Sequence, residues 1–363
     1  MRMSAFATPV VLFVFNRPEL LRRLLAVLAA VRPAMLLVVA DGPRARHPGD
    51  AARCAAVRAL VEQIGWPCEI RRLYAATNLG CDPRIASGIA WALSQFEEAI
   101  FLEDDHLPDP SFFAWCAAML ARYRDEATVL QVAGRNELGR WDSDAGDHHL
   151  IHRANPAGWA TWRRAWRSAG RVELPGDPAA IDAQVAAGRL DPLVAEHFHV
   201  MRGLVGREPS GAWDNDWLLR RALLAGLSVV PPVNLVAHVG FDADATHNRF
   251  AADIRALQPV GRAPTLVAGF RAAPDARLDR GSLLLDLMAT WRDLAMVRRL
   301  ARAPALAGGD LLRHYLAPFA APDEALAALR HLRRLVPDPS ALDPLIDLLD
   351  TTQAPAAAVV GSA

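Results

Sequence analysis

The feature that most constrains the fold of this chain is a repeated alternation of strand-like and helix-like segments in its first 105 residues. Strand-like runs near residues 10–15, 35–40, 69–74 and 99–102 are separated by segments whose leucines and alanines recur at helical spacing. A strand–helix repeat of this kind folds into a parallel sheet with helices on both faces. The sequence therefore predicts an α/β fold with a mostly parallel sheet flanked by helices.

All four strand-like runs end in polar residues. In parallel sheets ligands bind beyond the carboxyl ends of the strands, so polar groups that follow several strands predict a shared site. These groups are Asn16 and Arg17 after the first run, Asp41 after the second, Asn78 after the third, and Glu103, Asp104 and Asp105 after the fourth. Taken singly, Arg17 is an ordinary surface cation, and Asp41 and Asn78 are ordinary turn residues. Because all of these residues would lie at the same edge of the sheet, a shared ligand site is favoured.

The three consecutive carboxylates at residues 103–105 indicate a divalent cation. Oxygen ligands favour Mg²⁺ or Mn²⁺, which proteins often share between carboxylates and the phosphates of a substrate. The alternative is a polar turn at the end of a buried strand. With a phosphate-bearing ligand, Arg17 would contact a phosphate or stack on a base. Neither GxGxxG after the first strand nor GxxxxGK[ST] is present, which disfavours the usual dinucleotide and P-loop sites.

The composition narrows the classes of partner that the chain is expected to bind. The 40 Lys and Arg residues balance the 40 Asp and Glu residues, so no overall field attracts nucleic acid or an anionic membrane. The four cysteines lack CxxC spacing, which is typical of reduced thiols in a cytoplasmic protein and disfavours a zinc site. The chain has neither a secretory signal nor a long uncharged apolar run. It is predicted to be cytoplasmic, with peripheral membrane contact and oligomeric state left open.

Three further segments contain candidate functional residues. Trp159, Trp162 and Trp166 have the spacing of one helix face, so core packing is expected, with a sugar-stacking surface at Trp159 as the alternative. Asp214 and Asp216 open a predicted helix, where they either favour the helix dipole or include a general base. His247 lies in a predicted loop and is either solvated or a metal ligand.

These motifs, in this order, resemble those of GT-A-type glycosyltransferases. The residues that carry the resemblance are Phe15-Asn16-Arg17-Pro18-Glu19, Ala40-Asp41-Gly42-Pro43-Arg44, Asn78-Leu79-Gly80-Cys81, Leu102-Glu103-Asp104-Asp105, Gly158-Trp159-Ala160-Thr161-Trp162, Trp213-Asp214 with Trp217, and Gly240-Phe241 with Ala245-Thr246-His247. The chain is similar to the bacterial hemolytic-protein-like (HlpA-type) family. It is distantly similar to the N-acetylglucosaminyltransferase I family, which has a Glu-Asp-Asp version of the Asp-x-Asp motif.

The resemblance implies a GT-A (Rossmann-like) fold and a metal-dependent, inverting transfer of a hexosyl or N-acetylhexosaminyl group. The donor would be a nucleotide-sugar, UDP-linked, the acceptor a hydroxyl group such as that of a glycan, and the ion Mn²⁺ or Mg²⁺. Arg17 and Asp41 would contact the nucleotide, with Asn16 and Asn78 beside the donor. Asp105 would bind the metal, Glu103 and Asp104 would contact ribose and sugar, and His247 would lie near the metal or diphosphate. Asp214 would be the base, with Asp216 as the alternative.

The resemblance extends to about residue 250 and does not cover the rest of the chain, so residues 1–250 would form the nucleotide-sugar-binding and catalytic domain. Residues 251–350 contain Ala-, Leu- and Arg-rich segments with helical spacing and are predicted to form a helical accessory region. Residues 351–363 are small, apolar and proline-containing, which predicts a flexible tail. One alternative function is a catalytically silent GT-A-like module that binds carbohydrate or supports assembly. A nucleotidyltransferase is disfavoured because it would need a basic, glycine-rich loop after the first strand, and Phe15-Asn16-Arg17-Pro18 is not one.

Overall fold

The structure is a computed structural model that describes residues 6–141, 146–204, 213–240, 260–276, 278–279 and 282–283. Ten strands lie within these ranges: β1 Val10–Val14, β2 Met35–Ala40, β3 Glu69–Tyr74, β4 Glu98–Glu103, β5 His106–Pro108, β6 Val129–Ala133, β7 His149–Ile151, β8 Trp159–Trp162, β9 Leu227–Val230 and β10 Val236–His238. The helices within them are α1 Pro18–Val31, α2 Asp50–Val61, α3 Cys81–Gln95, α4 Ser111–Arg122, α5 Arg163–Gly170, α6 Pro178–Ala186, α7 Pro192–Leu204 and α8 Trp213–Leu223.

Eight strands form one central sheet in the order β3-β2-β1-β4-β8-β6-β9-β7. Among β1 to β4, the pairs β1–β2, β1–β4 and β2–β3 are hydrogen-bonded, and all three pairs are parallel, as the strand–helix repeat predicts. Among the described residues, four of the seven pairings in the sheet are parallel. The predicted α/β class, with a helix-flanked sheet, is confirmed.

The parallel half of the sheet follows directly from the sequence. All five residues of β1 are buried, because the strand lies between β2 and β4 and is covered on both faces. The helix α1 begins at Pro18, a residue suited to the first helical turn, and its buried face contains Leu21, Leu24 and Leu28. This packing brings the carboxyl ends of β1, β2 and β4 to one edge.

The tryptophan segment differs from its predicted form. Residues Trp159–Trp162 form the strand β8, antiparallel to β4 and β6, and only Trp166 lies on the helix that follows. The predicted single helix face is therefore wrong. Pairing with a central strand decides the conformation of this short segment, where bulky aromatic residues are well accommodated.

A second, two-stranded sheet lies next to the acidic triplet. The strands β5 and β10 pair antiparallel, and His106 is directly opposite His238. We call the two-stranded sheet of β5 and β10 the His ribbon. The strand β5 is only three residues long and shows no alternation of apolar and polar residues that would predict it. The ribbon places two imidazoles at the exit of β4.

The described part of the predicted accessory region contacts the catalytic-domain region. Asp279 accepts the backbone N–H groups of His152 and Arg153, each at 2.8 Å, and Leu278 and Leu283 are buried. Residues 251–259, 277, 280–281 and 284–350 of the predicted helical region, and the predicted tail, lie outside the described residues. None of the described helices is both long and apolar enough to cross a membrane.

Candidate metal and donor site

The ends of β1 and β4 converge as predicted. Arg17 Nη1 lies 3.0 Å from Asp105 Oδ2 and 3.9 Å from Asp104 Oδ1. The Phe15 backbone N–H donates to Asp104 Oδ2 at 3.4 Å. Because β1 and β4 are adjacent parallel strands in register from Val10 to Phe13, residues that are nearly 90 positions apart meet at one point. An arginine and two carboxylates therefore share this edge of the sheet.

Asp105 is also flanked by the His ribbon. His238 Nε2 is 3.4 Å from Asp105 Oδ2, and His106 Nε2 is 3.8 Å from Asp105 Oδ1. One ligand atom from each of these three residues lies within 4.8 Å of the others. Asp105 Oδ1 is buried and has no hydrogen-bond partner among the described residues. A buried carboxylate oxygen without a partner, beside an imidazole, suits a divalent cation such as Mn²⁺.

The His106 ring is oriented by hydrogen bonds from the backbone. Its Nδ1 accepts the N–H groups of Glu103 at 3.1 Å and of Gly158 at 3.2 Å. Burial lowers the pKa of His106 to about 3, so the ring is neutral, and its proton is on Nε2. A protonated nitrogen cannot bind a metal ion. The ligand pair that fits better is Asp105 with His238, whose Nε2 would give up its hydrogen bond with Asp105 to bind the ion.

The charge state of Asp105 fits a ligand. Burial acts to raise the pKa of this carboxyl, but the hydrogen bond with His238 and the charges of His238, His106 and Arg17 hold it below its usual range. Carboxylates bind divalent ions in the deprotonated form. Asp105 is therefore ionised at neutral pH.

Gly240 closes the site from the chain after the His ribbon. A Cβ at residue 240 would overlap Asp105 Oδ2, and the Val239 N–H donates to the Asp105 carbonyl oxygen at 2.9 Å. Only glycine permits such a close approach of backbone to carboxylate. The segment after β10 is thus held directly against the predicted metal ligand.

Asp41 and Asn78 come together as predicted, but their hydrogen bonds organise a loop. Asp41 Oδ1 accepts the N–H groups of Gly42 and Leu79 at 2.8 and 2.9 Å, and Oδ2 accepts the Asn78 amide and the Gly80 N–H at 2.8 and 3.1 Å. A carboxylate has about four acceptor positions. The Asp41 carboxylate is thus fully engaged, where the sequence predicts a contact to nucleotide.

Asn16 is likewise engaged. Its amide donates to Asp50 Oδ1 at 2.8 Å, and Arg44 donates to both oxygens of Asp50 at 2.7 and 3.1 Å. The Asp50 side chain is fully buried, and the hydrogen bond from Arg44 lowers its pKa. Asn16 therefore holds the exit of β1 against the start of α2.

The two candidate bases lie in the first turn of α8. The pKa of Glu103 is raised well above its usual value by burial and then by the negative charges of Asp105, Asp104 and Asp214. Asp214 is thus within electrostatic range of the acidic triplet. Burial also raises the pKa of Asp216, whose charged neighbours are Arg220 and Asp82. The charge of Asp214 thus acts on Glu103, and that of Asp82 acts on Asp216.

Trp159 is a core residue in this arrangement. Only 2% of it is exposed, and its ring stacks between Phe101 and Trp213 with centroid distances of 5.0 and 5.9 Å. This burial favours the core interpretation of Trp159. The half-buried member of the stack is Trp213, which immediately precedes Asp214.

Several residues of the site were not predicted. They are His106, His238, Gly240 and Asp82. His106 directly follows the acidic triplet and His238 ends an apolar run, so both positions were visible, but their pairing was not. The predicted ligand His247 lies outside the described residues.

Comparisons with known proteins add little to the assignment of a function. No protein-family model matches the chain, and no curated protein matches it. Among solved structures, the chain is similar to the mannosyltransferase PcManGT from Pyrobaculum calidifontis in complex with GDP-Man and Mn²⁺. The match covers 96% of this chain and 88% of that chain, with 15% identity and a TM-score of 0.42. At this level of similarity, function has to be argued from the residues of the site.

Proposed function

We propose that this chain is a metal-dependent glycosyltransferase that moves a sugar from a nucleotide-sugar, UDP-linked, to a hydroxyl acceptor in bacterial glycan or glycoconjugate synthesis. The observation that carries the proposal is the meeting of Arg17, Asp105 and His238 at the carboxyl ends of β1, β4 and β10. An arginine beside a metal-ligand pair is a site for a diphosphate. The sequence motifs that resemble GT-A-type glycosyltransferases support a sugar-bearing diphosphate.

Asp105 and His238 would hold the Mn²⁺ or Mg²⁺ ion. When bound, such an ion stabilises the negative charge that develops on the departing nucleoside diphosphate. Arg17 adds a fixed positive charge on the same side and stays in place through its ion pair with Asp105. His106 is held beside the Asp105 carboxylate, at 3.8 Å, by the two backbone hydrogen bonds to its Nδ1.

The neighbouring carboxylates would contact the sugar and ribose. Glu103, whose pKa is raised by burial and by the neighbouring carboxylates, would form a hydrogen bond with a donor hydroxyl or phosphate oxygen. Asp104, whose Oδ2 accepts the Phe15 N–H, would contact the donor beside Glu103. Together they would orient the donor for attack.

Asp214 would take the proton from the acceptor hydroxyl as that oxygen attacks the anomeric carbon. A single-step displacement inverts the configuration and needs one base, unlike retaining hydrolysis with its close pair of carboxylates. Asp214 is favoured over Asp216 because its charge acts on Glu103, whereas Asp216 is influenced by Arg220 and Asp82. Trp213, half-buried beside Asp214, is placed to stack on an acceptor sugar.

The metal role is tested by calorimetry with UDP and Mn²⁺ on Asp105→Ala. We expect binding to be lost while the far-UV spectrum stays native. Glu98→Ala is the matched control, because Glu98 begins the same strand β4 and pairs with Arg124 away from the site. Unchanged affinity in Asp105→Ala would reject the assignment.

The chemical role is tested by the pair Asp214→Asn and Asp216→Asn in a screen of UDP- and GDP-linked sugars with acceptors. We expect Asp214→Asn to bind donor normally and to lose transfer by about 10²-fold or more. Normal turnover in Asp214→Asn and loss in Asp216→Asn would move the base to Asp216. Donor binding without any transfer by the unmodified protein would favour the alternative, a silent carbohydrate-binding or assembly module.

A further inference from the structure

In the first turn of the helix that bears the candidate bases, Asp214 Oδ1 accepts the Asn215 N–H at 2.9 Å. The backbone N–H groups of the first helical turn have no partner within a helix. The Trp213 N–H is bonded by another helix, since Asp82 Oδ1 accepts it at 3.0 Å.

Asp82 is itself placed by the loop that Asp41 organises. The helix α3 begins at Cys81, immediately after Gly80, and Asp82 is in its first turn. Gly80 and Leu79 donate their N–H groups to Asp41. On the other side of that loop, a Cβ at residue 42 would overlap the Thr77 backbone, so the two strand exits are in direct backbone contact.

These contacts form one continuous connection from the end of β2 to the start of α8. It passes from the Asp41 carboxylate to the backbone of residues 79–80, then to Asp82, and then to the Trp213 N–H. The charge of Asp82 also contributes to raising the pKa of Asp216, which shows that the Asp82 carboxylate faces the first turn of α8. The position of that turn is therefore set by α3.

We propose that Asp82 is a positioning residue, which fixes the start of α8 and thereby holds the catalytic carboxylate of that helix in line with the donor. The inference rests on the proposed function for its catalytic part. Its structural part, the anchoring of α8 by Asp82, stands on the hydrogen bond alone. A displacement of about 1 Å in a reacting group can lower a rate about 100-fold.

The test compares Asp82→Ala, which removes the acceptor, with Asp82→Asn, which keeps an oxygen at the same position. Asp177→Ala is the control, because Asp177 caps α6 in the same way, accepting the Ala179 N–H at 2.9 Å, and plays no part in the site. Two measurements are made on each full-length variant. The first is hydrogen–deuterium exchange of the peptide at the start of α8, and the second is the release of UDP from UDP-N-acetylglucosamine with Mn²⁺.

In Asp82→Ala we expect faster exchange at the start of α8 and a kcat lower by about 10- to 100-fold, with KM for the donor and affinity for Mn²⁺ alone unchanged. Asp82→Asn should restore protection and bring kcat to within about threefold, since a neutral acceptor bonds more weakly than a charged one. Asp177→Ala should change neither measurement.

Unchanged exchange in Asp82→Ala would overturn the anchoring of α8. Equal loss of kcat in Asp82→Ala and Asp82→Asn would also overturn the proposal, because the carboxylate charge would then be needed in the reaction itself. If the unmodified protein releases no UDP from any sugar donor, the proposed function fails. The exchange measurement would still decide whether Asp82 anchors α8.

Discussion

Gly240 lies so close to Asp105 that no side chain fits between them, because a Cβ at residue 240 would overlap Asp105 Oδ2. The Val239 N–H also bonds to the Asp105 carbonyl oxygen. The carboxylate is therefore confined between Arg17, His238 and the backbone of the segment that follows β10. Its orientation is fixed before any ion arrives.

Replacing Gly240 by alanine should weaken metal binding. The added methyl group must displace the Asp105 carboxylate, and disturbing the groups that orient a ligand costs about 10- to 100-fold in metal affinity. Electron paramagnetic resonance of free Mn²⁺ measures this directly. Gly65→Ala is the matched control, since a Cβ at residue 65 meets nothing within 4 Å. Equal Mn²⁺ affinity in both variants would refute the confinement of Asp105.

The two histidines of the His ribbon should respond differently to substitution. His238→Ala removes the proposed metal ligand and should abolish Mn²⁺ binding, whereas His106→Gln keeps an acceptor for the backbone and should weaken Mn²⁺ binding by about 10-fold. Long-range ¹⁵N–¹H spectra should show a proton on His106 Nε2 and none on Nδ1. A proton on Nδ1 would contradict the two backbone hydrogen bonds found there and restore His106 as a ligand.

Asp41→Ala distinguishes a loop-organising carboxylate from a nucleotide contact. Removing the acceptor leaves the N–H groups of Gly42, Leu79 and Gly80 unpaired, and we expect the free energy of unfolding to fall by about 1–3 kcal/mol. Urea denaturation measures this loss. A variant of unchanged stability with weaker UDP binding would instead support the direct contact that the sequence predicts.

Asp50 should make the free energy of unfolding depend on pH in the acidic range. Its pKa is lower in the folded protein than in the unfolded chain, chiefly through the Arg44 hydrogen bond. Its contribution is therefore complete above the unfolded pKa, near 4, and is lost as the pH falls below that value toward the folded pKa. The free energy of unfolding, measured from pH 7 downward, should fall below pH 4 more steeply for the unmodified protein than for Asp50→Asn. If the free energies of unfolding of the two proteins fall in parallel with pH, then folding does not lower the pKa of Asp50.

The parallel half of the fold was predictable because its signals are local. Runs such as residues 10–14 and 35–40 are apolar throughout and are separated by helical periodicity, and each strand ends where its polar residues begin. The convergence of Arg17 with the acidic triplet then follows from the geometry of parallel strands alone.

The parts that were not predicted depend on long-range pairing. The strand β8 has four residues and takes its conformation from β4 and β6, so the spacing of its tryptophans indicates a helix that does not form. The register that places His238 opposite His106 is set by strands of three residues each. The four hydrogen bonds that occupy Asp41 are likewise invisible in sequence, since Asp41 looks the same whether its partners are backbone groups or a nucleotide.

The antiparallel register of the His ribbon also determines when a metal ion can be held. His238 and Asp105 come from strands far apart in the chain, so an unfolded polypeptide offers no such ligand pair. An ion that binds only the native state shifts the unfolding equilibrium by mass action. The melting temperature should thus rise with Mn²⁺ concentration in the absence of any sugar or nucleotide, so thermal unfolding alone can report on the proposed metal centre.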